Sequence, residues 1–165
     1  MRNLLRPLLA AFLLCCLAAT AAAADITITV ASFVPSSNAV YYPSAVTGSV
    51  AVTAGMAVYL NSSGVWEKAK ADASATLVGV SLGLACHASS PGQPLAVLKS
   101  DPSLTLGATV AIDGLLVVSG ATAGGIALYA DLVTGKFINV FGIMKTATTA
   151  IVDFPNAKTT TVALP

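Results

Sequence analysis

The sequence predicts an all-β domain, a compact sandwich or barrel-like body of short antiparallel strands. Three observations predict it. Beyond residue 24, Val, Thr, Ile and Ala recur in short runs, the side chains that fit a pleated, half-buried surface. Turn signals built from Gly, Asn, Asp, Ser and Pro separate those runs. Helical periodicity is nearly absent after the first 24 residues. With 56% hydrophobic and 9% charged residues in a chain of 165, a folded chain and one domain are expected.

Residues 1–24 read as an export-type leader. Arg2 and Arg6 give a positive start, residues 8–17 an apolar run, and Ala22, Ala23 and Ala24 small residues for a peptidase, with Asp25 following. The run is short for a membrane span and no charged stop follows it. The other reading is an uncleaved apolar arm that packs on a partner. Without the leader the chain keeps six lysines and seven acids, a formal charge of −1. The lysines are scattered, so no basic patch is available for phosphates, and a nucleic-acid partner is not expected. Any membrane contact would come through the leader alone. Cys86 is then the one cysteine left, which rules out an internal disulfide.

The β-rich domain is expected over residues 25–154. Residues 25–33 alternate, with Ile26, Ile28 and Val30 on one face, as a half-buried strand does. A polar, proline-bounded loop over 35–44 carries Tyr41 and Tyr42. Strands are predicted over 46–52, 56–60 and 65–70, the last two joined by a hairpin turn at Asn61, Ser62, Ser63 and Gly64. Residues 77–84 form an apolar strand in which Gly79 and Gly83 mark bulges or close backbone approach. Ser89, Ser90, Pro91 and Gly92 make a strong turn before a strand at 94–99. A turn at 101–103 precedes strands at 104–106 and 109–112, and Asp113-Gly114 turns the chain into 115–119. Strands at 126–130, 137–144 and 150–154 complete the series. Residues 155–165 are a tail or a last edge strand. A single helical turn could begin at Asp72, Ala73 and Ser74. Residues 64–97 faintly echo residues 125–152, which points either to two related lobes or to chance likeness between Gly/Val-rich hairpins.

Catalytic chemistry finds little to work with, and the chain is read as not an enzyme. His87 is the one histidine, and its neighbour Cys86 would face the opposite side of a strand. His87 is expected to be a solvated loop residue and Cys86 a small buried filler. Metal-ligand spacing is missing. Asp72, Asp101, Asp113 and Asp131 each stand beside turn residues, where aspartate caps the local backbone. Glu67 is the one glutamate, with no evident partner carboxylate for glycoside chemistry. The glycine-rich residues 121–125 lack the ending of a phosphate loop. No cofactor and no metal are expected. Among the aromatic residues Phe33, Tyr41, Tyr42, Tyr59, Trp66, Tyr129, Phe137 and Phe141, half or more should be core. Trp66, Tyr41 and Tyr42 are the candidate partner contacts, the two tyrosines foremost.

The order Asp25-Ile26-Thr27-Ile28-Thr29, Thr53-Ala54-Gly55-Met56-Ala57-Val58-Tyr59-Leu60, Trp66-Glu67-Lys68-Ala69-Lys70-Ala71-Asp72, Val78-Gly79-Val80-Ser81-Leu82 and Gly92-Gln93-Pro94-Leu95-Ala96-Val97 carries a resemblance. Leu106-Gly107-Ala108, Val117-Val118-Ser119, Gly124-Gly125-Ile126, Ala130-Asp131 and Phe141-Gly142-Ile143 continue it. Over nearly all of residues 25–154 the chain resembles the small head decoration, or capsid cement, proteins of tailed bacteriophages. The resemblance implies a virion location on the outer capsid surface, the major capsid protein as partner, a homo-oligomer such as a trimer, and a bracing role. The leader departs from that pattern, because cement proteins assemble in the host cytoplasm. The alternative is therefore an exported periplasmic or cell-surface β-domain that acts as a binding or adhesion module, cut between Ala24 and Asp25.

Overall fold

The computed structural model describes residues 24–71, 81–132 and 136–154. The leader up to residue 23, the helical turn expected at Asp72, Ala73 and Ser74, the first part of the 77–84 strand and the 155–165 tail lie outside the described residues. Eleven strands follow in chain order: β1 (Val40–Tyr41), β2 (Ala45–Val46), β3 (Ala57–Leu60), β4 (Trp66–Lys68), β5 (Leu82–Ala85), β6 (Pro94–Leu95), β7 (Val97–Thr105), β8 (Leu115–Val118), β9 (Ile126–Leu128), β10 (Val140–Met144) and β11 (Thr149–Asp153). Nine of them form one curled antiparallel sheet in the order β4-β3-β5-β7-β11-β10-β8-β9, with β1 added on β7. β2 and β6 make a separate two-stranded ribbon. The domain is all-β and barrel-like, as the alternating runs require.

The strand order is a palindrome. β3 and β4 are a hairpin, β5 returns to pair with β3, and β7 pairs with β5. β8 and β9 are a hairpin, β10 returns to pair with β8, and β11 pairs with β10. The two meanders join where β7 meets β11, from Thr105↔Thr149 to Ser100↔Asp153. The echo between residues 64–97 and 125–152 thus falls on strands of matching connectivity. Both halves lie in one shared sheet.

Alternation on the strands divides the apolar residues into two cores. Ala57, Leu84 and Leu98 point into the main core, with Leu104, Leu116, Phe141 and Phe154. Their neighbours Val58, Ala85 and Val97 point the other way, into a smaller core that the β2–β6 ribbon covers with Ala45 and Leu95. Phe141 and Phe154 stack at 4.7 Å in the main core. Gly83 sits where β5 passes β7 so closely that a Cβ would meet Val97 Cγ1 at 2.4 Å and the Leu98 carbonyl at 2.7 Å. That is the close approach its place in an apolar strand predicts.

Further contacts engage both ends of the sheet. The Gly48 N–H donates to the Trp66 carbonyl at 2.7 Å, and Glu67 Oε1 accepts from Ser49 N–H at 2.9 Å, so residues 48–49 close the β4 edge. Gly124 reaches the same region from the far end of the sheet. Its N–H donates to Ala69 and its carbonyl accepts from Ala57, at 2.7 and 2.9 Å. Along β9, Asp25 bridges Ala127 and Ile26 N–H donates to the Ile126 carbonyl at 2.7 Å. Among the described residues, these contacts occupy part of the outer edge of β4 and of β9, where another strand would otherwise add.

Several expected strands are corrected. Residues 25–33 form no strand. Ile26 and Ile28 do pack on the main core, but a 3-10 turn over Val30–Ser32 turns Val30 outward to 49% exposure. In 46–52 the strand stops at Val46, because residues 48–49 bend to cap β4, and Val52 makes one bridge to Ser89. The turn at 101–103 does not exist, since β7 runs unbroken to Thr105. Pro102 lacks an N–H but lies in a bulge of β7, where Pro102 and Ser103 oppose the single residue Ile151 of β11 and a strand tolerates proline. Residues 109–112 stay a loop because β10 and β11 already have partners on both sides. Asp113 adopts φ 61° in the turn that follows. Residues 126–130 end as strand at Leu128 and continue as a 3-10 turn, Tyr129–Asp131.

Candidate functional site

The best-built surface is the segment that leads into and forms β1. Val34 bridges Thr105, and β1 then pairs with Ser100 and Leu98, so residues 34–41 run along β7. One buried carboxylate fixes this path. Asp101, fully buried in β7, accepts Ser36 N–H at 2.7 Å, Ser36 Oγ at 2.6 Å and Ser103 N–H at 2.8 Å. Ser36 Oγ in turn accepts Asn38 N–H at 3.2 Å. A polar loop is thereby tied to the sheet, since the buried carboxylate needs those donors to satisfy it. The segment exposes the sequence neighbours Val40 and Tyr41, by 50% and 45%, and Val34, by 54%, further along β7 beside Thr105.

The structure separates the three candidate contacts. Tyr41 faces solvent, while burial, helped by nearby Cys86 and Asp101, holds its phenol above the ordinary tyrosine pKa. Tyr42, the next residue, turns inward and packs its ring on Trp66 at 4.9 Å, with planes at 49°. Lys99 Nζ lies 5.8 Å from the centre of the Tyr42 ring. Trp66 itself is 2% exposed and belongs to the smaller core. Its ring is a packing element, so as a partner contact Trp66 is corrected: it supports Tyr42 from beneath.

No family model matches the chain, nor does any curated protein or solved structure. The site must therefore be read from its own chemistry.

Cys86 packs against the main core, and burial pushes its thiol up to about 11. Burial thus disfavours its thiolate form. His87 is exposed, but its ring is engaged: Nε2 accepts Ala96 N–H at 2.9 Å, so Nδ1 carries the proton toward the Ala88 carbonyl, also at 2.9 Å. It clips the start of β7 to the end of β5. Among the described residues no three His, Cys, Asp or Glu side chains gather to hold a metal. Among them, too, no helix is long and apolar enough to cross a membrane.

Ala24 is exposed, and Asp25 is where the described chain first joins the fold. The Asp25 carboxylate accepts from Ser119 Oγ, which itself accepts Ala121 and Thr122 N–H at 2.9 and 3.2 Å. Asp25 thus braces the loop that carries Gly124 to the other end of the sheet. Three open clefts flank the N-terminal segment. The first, about 230 Å³, lies between Ile26, Ile28, Met56 and Gly124. The second, about 350 Å³, is lined by threonine and serine hydroxyls. The third, about 370 Å³, holds Ala24 and Asp25 on its wall.

Reading the sequence located Tyr41 and named Asp101 as a turn-capping residue. It missed Val34, Val40 and the Ser36–Asp101 link. Proline followed by two serines and an asparagine does signal a side-chain-capped turn. The acceptor, however, stands 65 residues away in sequence.

Proposed function

We propose that this domain is a structural protein that docks on a larger symmetric protein assembly and braces it. The intended surface is a tailed-phage head, with the major capsid protein as partner. The observation that carries the reading is the exposed pair Val40 and Tyr41, with Val34 further along the same segment, which buried Asp101 ties to β7 through Ser36. A tyrosine beside an exposed valine, on a segment tied to the sheet, contributes contact area at little entropic cost. Modest contacts repeated around a shell then give avidity without one strong site.

The test is binding of purified protein to isolated heads, compared with Tyr41→Ala and Val40→Asp. Each substitution is expected to weaken binding by about tenfold or more, as loss of an interface anchor does. Full binding by both variants, or none by the native chain, would remove the proposal.

A second reading is favoured by residues 1–24 and by the integration of Asp25 into the fold. It makes the domain an exported binding module with the same segment as its contact surface. Intact mass decides between them. Protein in purified particles at a copy number near that of the capsid protein supports the first. A chain beginning at Asp25 and confined to periplasm or medium supports the second.

A further inference from the structure

The outer face of the second meander carries an apolar row with no cover among the described residues. Leu115 pairs with Ile143, and Ile143 pairs with Ile151, so the three stand side by side across β8, β10 and β11. Directly paired residues share a face. They are exposed by 39%, 37% and 42%, while Leu116, Met144, Ala150 and Val152 between them point into the core. The corresponding face of the first meander is closed by the β2–β6 ribbon over the smaller core.

Charge placement identifies what fits here. Asp153 lies two residues beyond Ile151 on β11, and Lys145 two residues beyond Ile143, just past β10, where its N–H donates to the Thr149 carbonyl at 2.8 Å and continues the ladder; both are exposed. Because β10 and β11 are antiparallel, the lysine and the aspartate sit at opposite ends of it, each about 7 Å from the centre. A two-fold axis lying across the strands reverses those ends. Lys145 of one copy then stands over Asp153 of the other, one strand spacing aside, a gap that a lysine side chain spans. With β4 and β9 each engaged at their outer edge among the described residues, the face offers a route for sheet-to-sheet association.

We propose that this chain self-associates through the outer face of β8, β10 and β11. The interface is isologous, with Leu115, Ile143 and Ile151 at its centre and two Lys145–Asp153 pairs at its ends. It is independent of the segment at Tyr41 and of the phage reading.

Sedimentation velocity on the full chain tests it, with circular dichroism to verify the fold of each variant. The native chain is expected to dimerise. Ile143→Arg, a change at an exposed position, is expected to weaken the dimer by tenfold or more, because each substitution is met twice in a two-fold interface. Lys145→Glu alone is expected to weaken it, and Lys145→Glu with Asp153→Lys to restore it. A native chain that stays monomeric near 100 µM overturns the proposal. So does an oligomer indifferent to Ile143→Arg, which would use another surface. Failure of the double swap to restore association refutes the two-fold arrangement. Dimerisation gained only after removal of residues 155–165 would also overturn it, by showing that the chain's own tail occupies the face.

Discussion

Replacing Asp101 by Asn changes one atom and should unsettle the whole β1 approach. In the native chain Oδ1 accepts Ser36 Oγ and Ser103 N–H, at 2.6 and 2.8 Å, and Oδ2 accepts Ser36 N–H at 2.7 Å. An asparagine that keeps its oxygen toward the first two donors turns its NH₂ against the third. The Ser36 N–H is then unpaired, at a cost of about 1–3 kcal/mol. The two surviving bonds lose their charge assistance, about 1 kcal/mol more. The expected loss is therefore about 2–4 kcal/mol, a fall in Tm of roughly 8–16 °C for a domain of this size. Ser36→Ala, which removes only the hydroxyl bond, should lose about 1 kcal/mol. Urea unfolding reads both, because Trp66 is the single tryptophan and is buried against Tyr42. An Asp101→Asn variant within about 0.5 kcal/mol of native, the range of an unremarkable surface change, would refute the reasoning.

Two further outcomes follow from the packing. Gly83→Ala places a methyl 2.4 Å from Val97 Cγ1 and 2.7 Å from the Leu98 carbonyl, so β5 and β7 must separate. A loss of about 2–3 kcal/mol in urea unfolding is expected, and a neutral result would show that the strand crossing is looser than drawn. Cys86 should make stability fall in alkali. Its thiol holds its proton to about 11 in the fold against an ordinary 9.0, so above pH 9 the unfolded chain ionises first and is favoured. The contribution is intact below pH 9 and lost as pH rises to about 11. Its ceiling is about 3 kcal/mol, which partial exposure reduces to about 1 kcal/mol. Cys86→Ala should flatten the stability profile over that window, and an unchanged slope would assign the alkaline loss to other groups.

How much of this was legible in the sequence depends on how far apart the interacting residues are. The β3–β4 hairpin was legible because its turn is written in adjacent residues. Asn61 Oδ1 accepts Ser63 and Val65 N–H, and Gly64 takes φ 77°. The Ser90–Gln93 turn was legible for the same reason, with Pro91 ahead of a left-handed Gly92. Residues 25–33 misled because alternation reports which side is buried, not whether a strand partner exists. β7 misled because Asp101, Pro102 and Ser103 have turn composition, and Asp101 does cap Ser103 N–H locally, yet the same carboxylate also ties a distant loop and the strand absorbs Pro102 in a bulge. Trp66 misled because an aromatic beside a hairpin turn can lie on either face. The candidate site shows the same division. Tyr41 was visible as a tyrosine in a polar loop, whereas the buried carboxylate that holds it in place became visible only in three dimensions.

The palindromic strand order has a consequence for how the chain assembles. Each meander is built from neighbours in sequence, with hairpins closed across residues 61–65 and 119–125. The seam between β7 and β11 instead joins Thr105 to Thr149 and Ser100 to Asp153. Local closures precede distant ones, because ordering a longer stretch of chain is repaid only once its contacts form. Residues at the seam, Leu104 and Ala150 among them, should therefore show little structure in the folding transition state, and the two hairpins more. Until the seam closes, two preformed halves face each other with their shared interior open to water. In a crowded cell, that interval is when a second chain can take the place of the missing half.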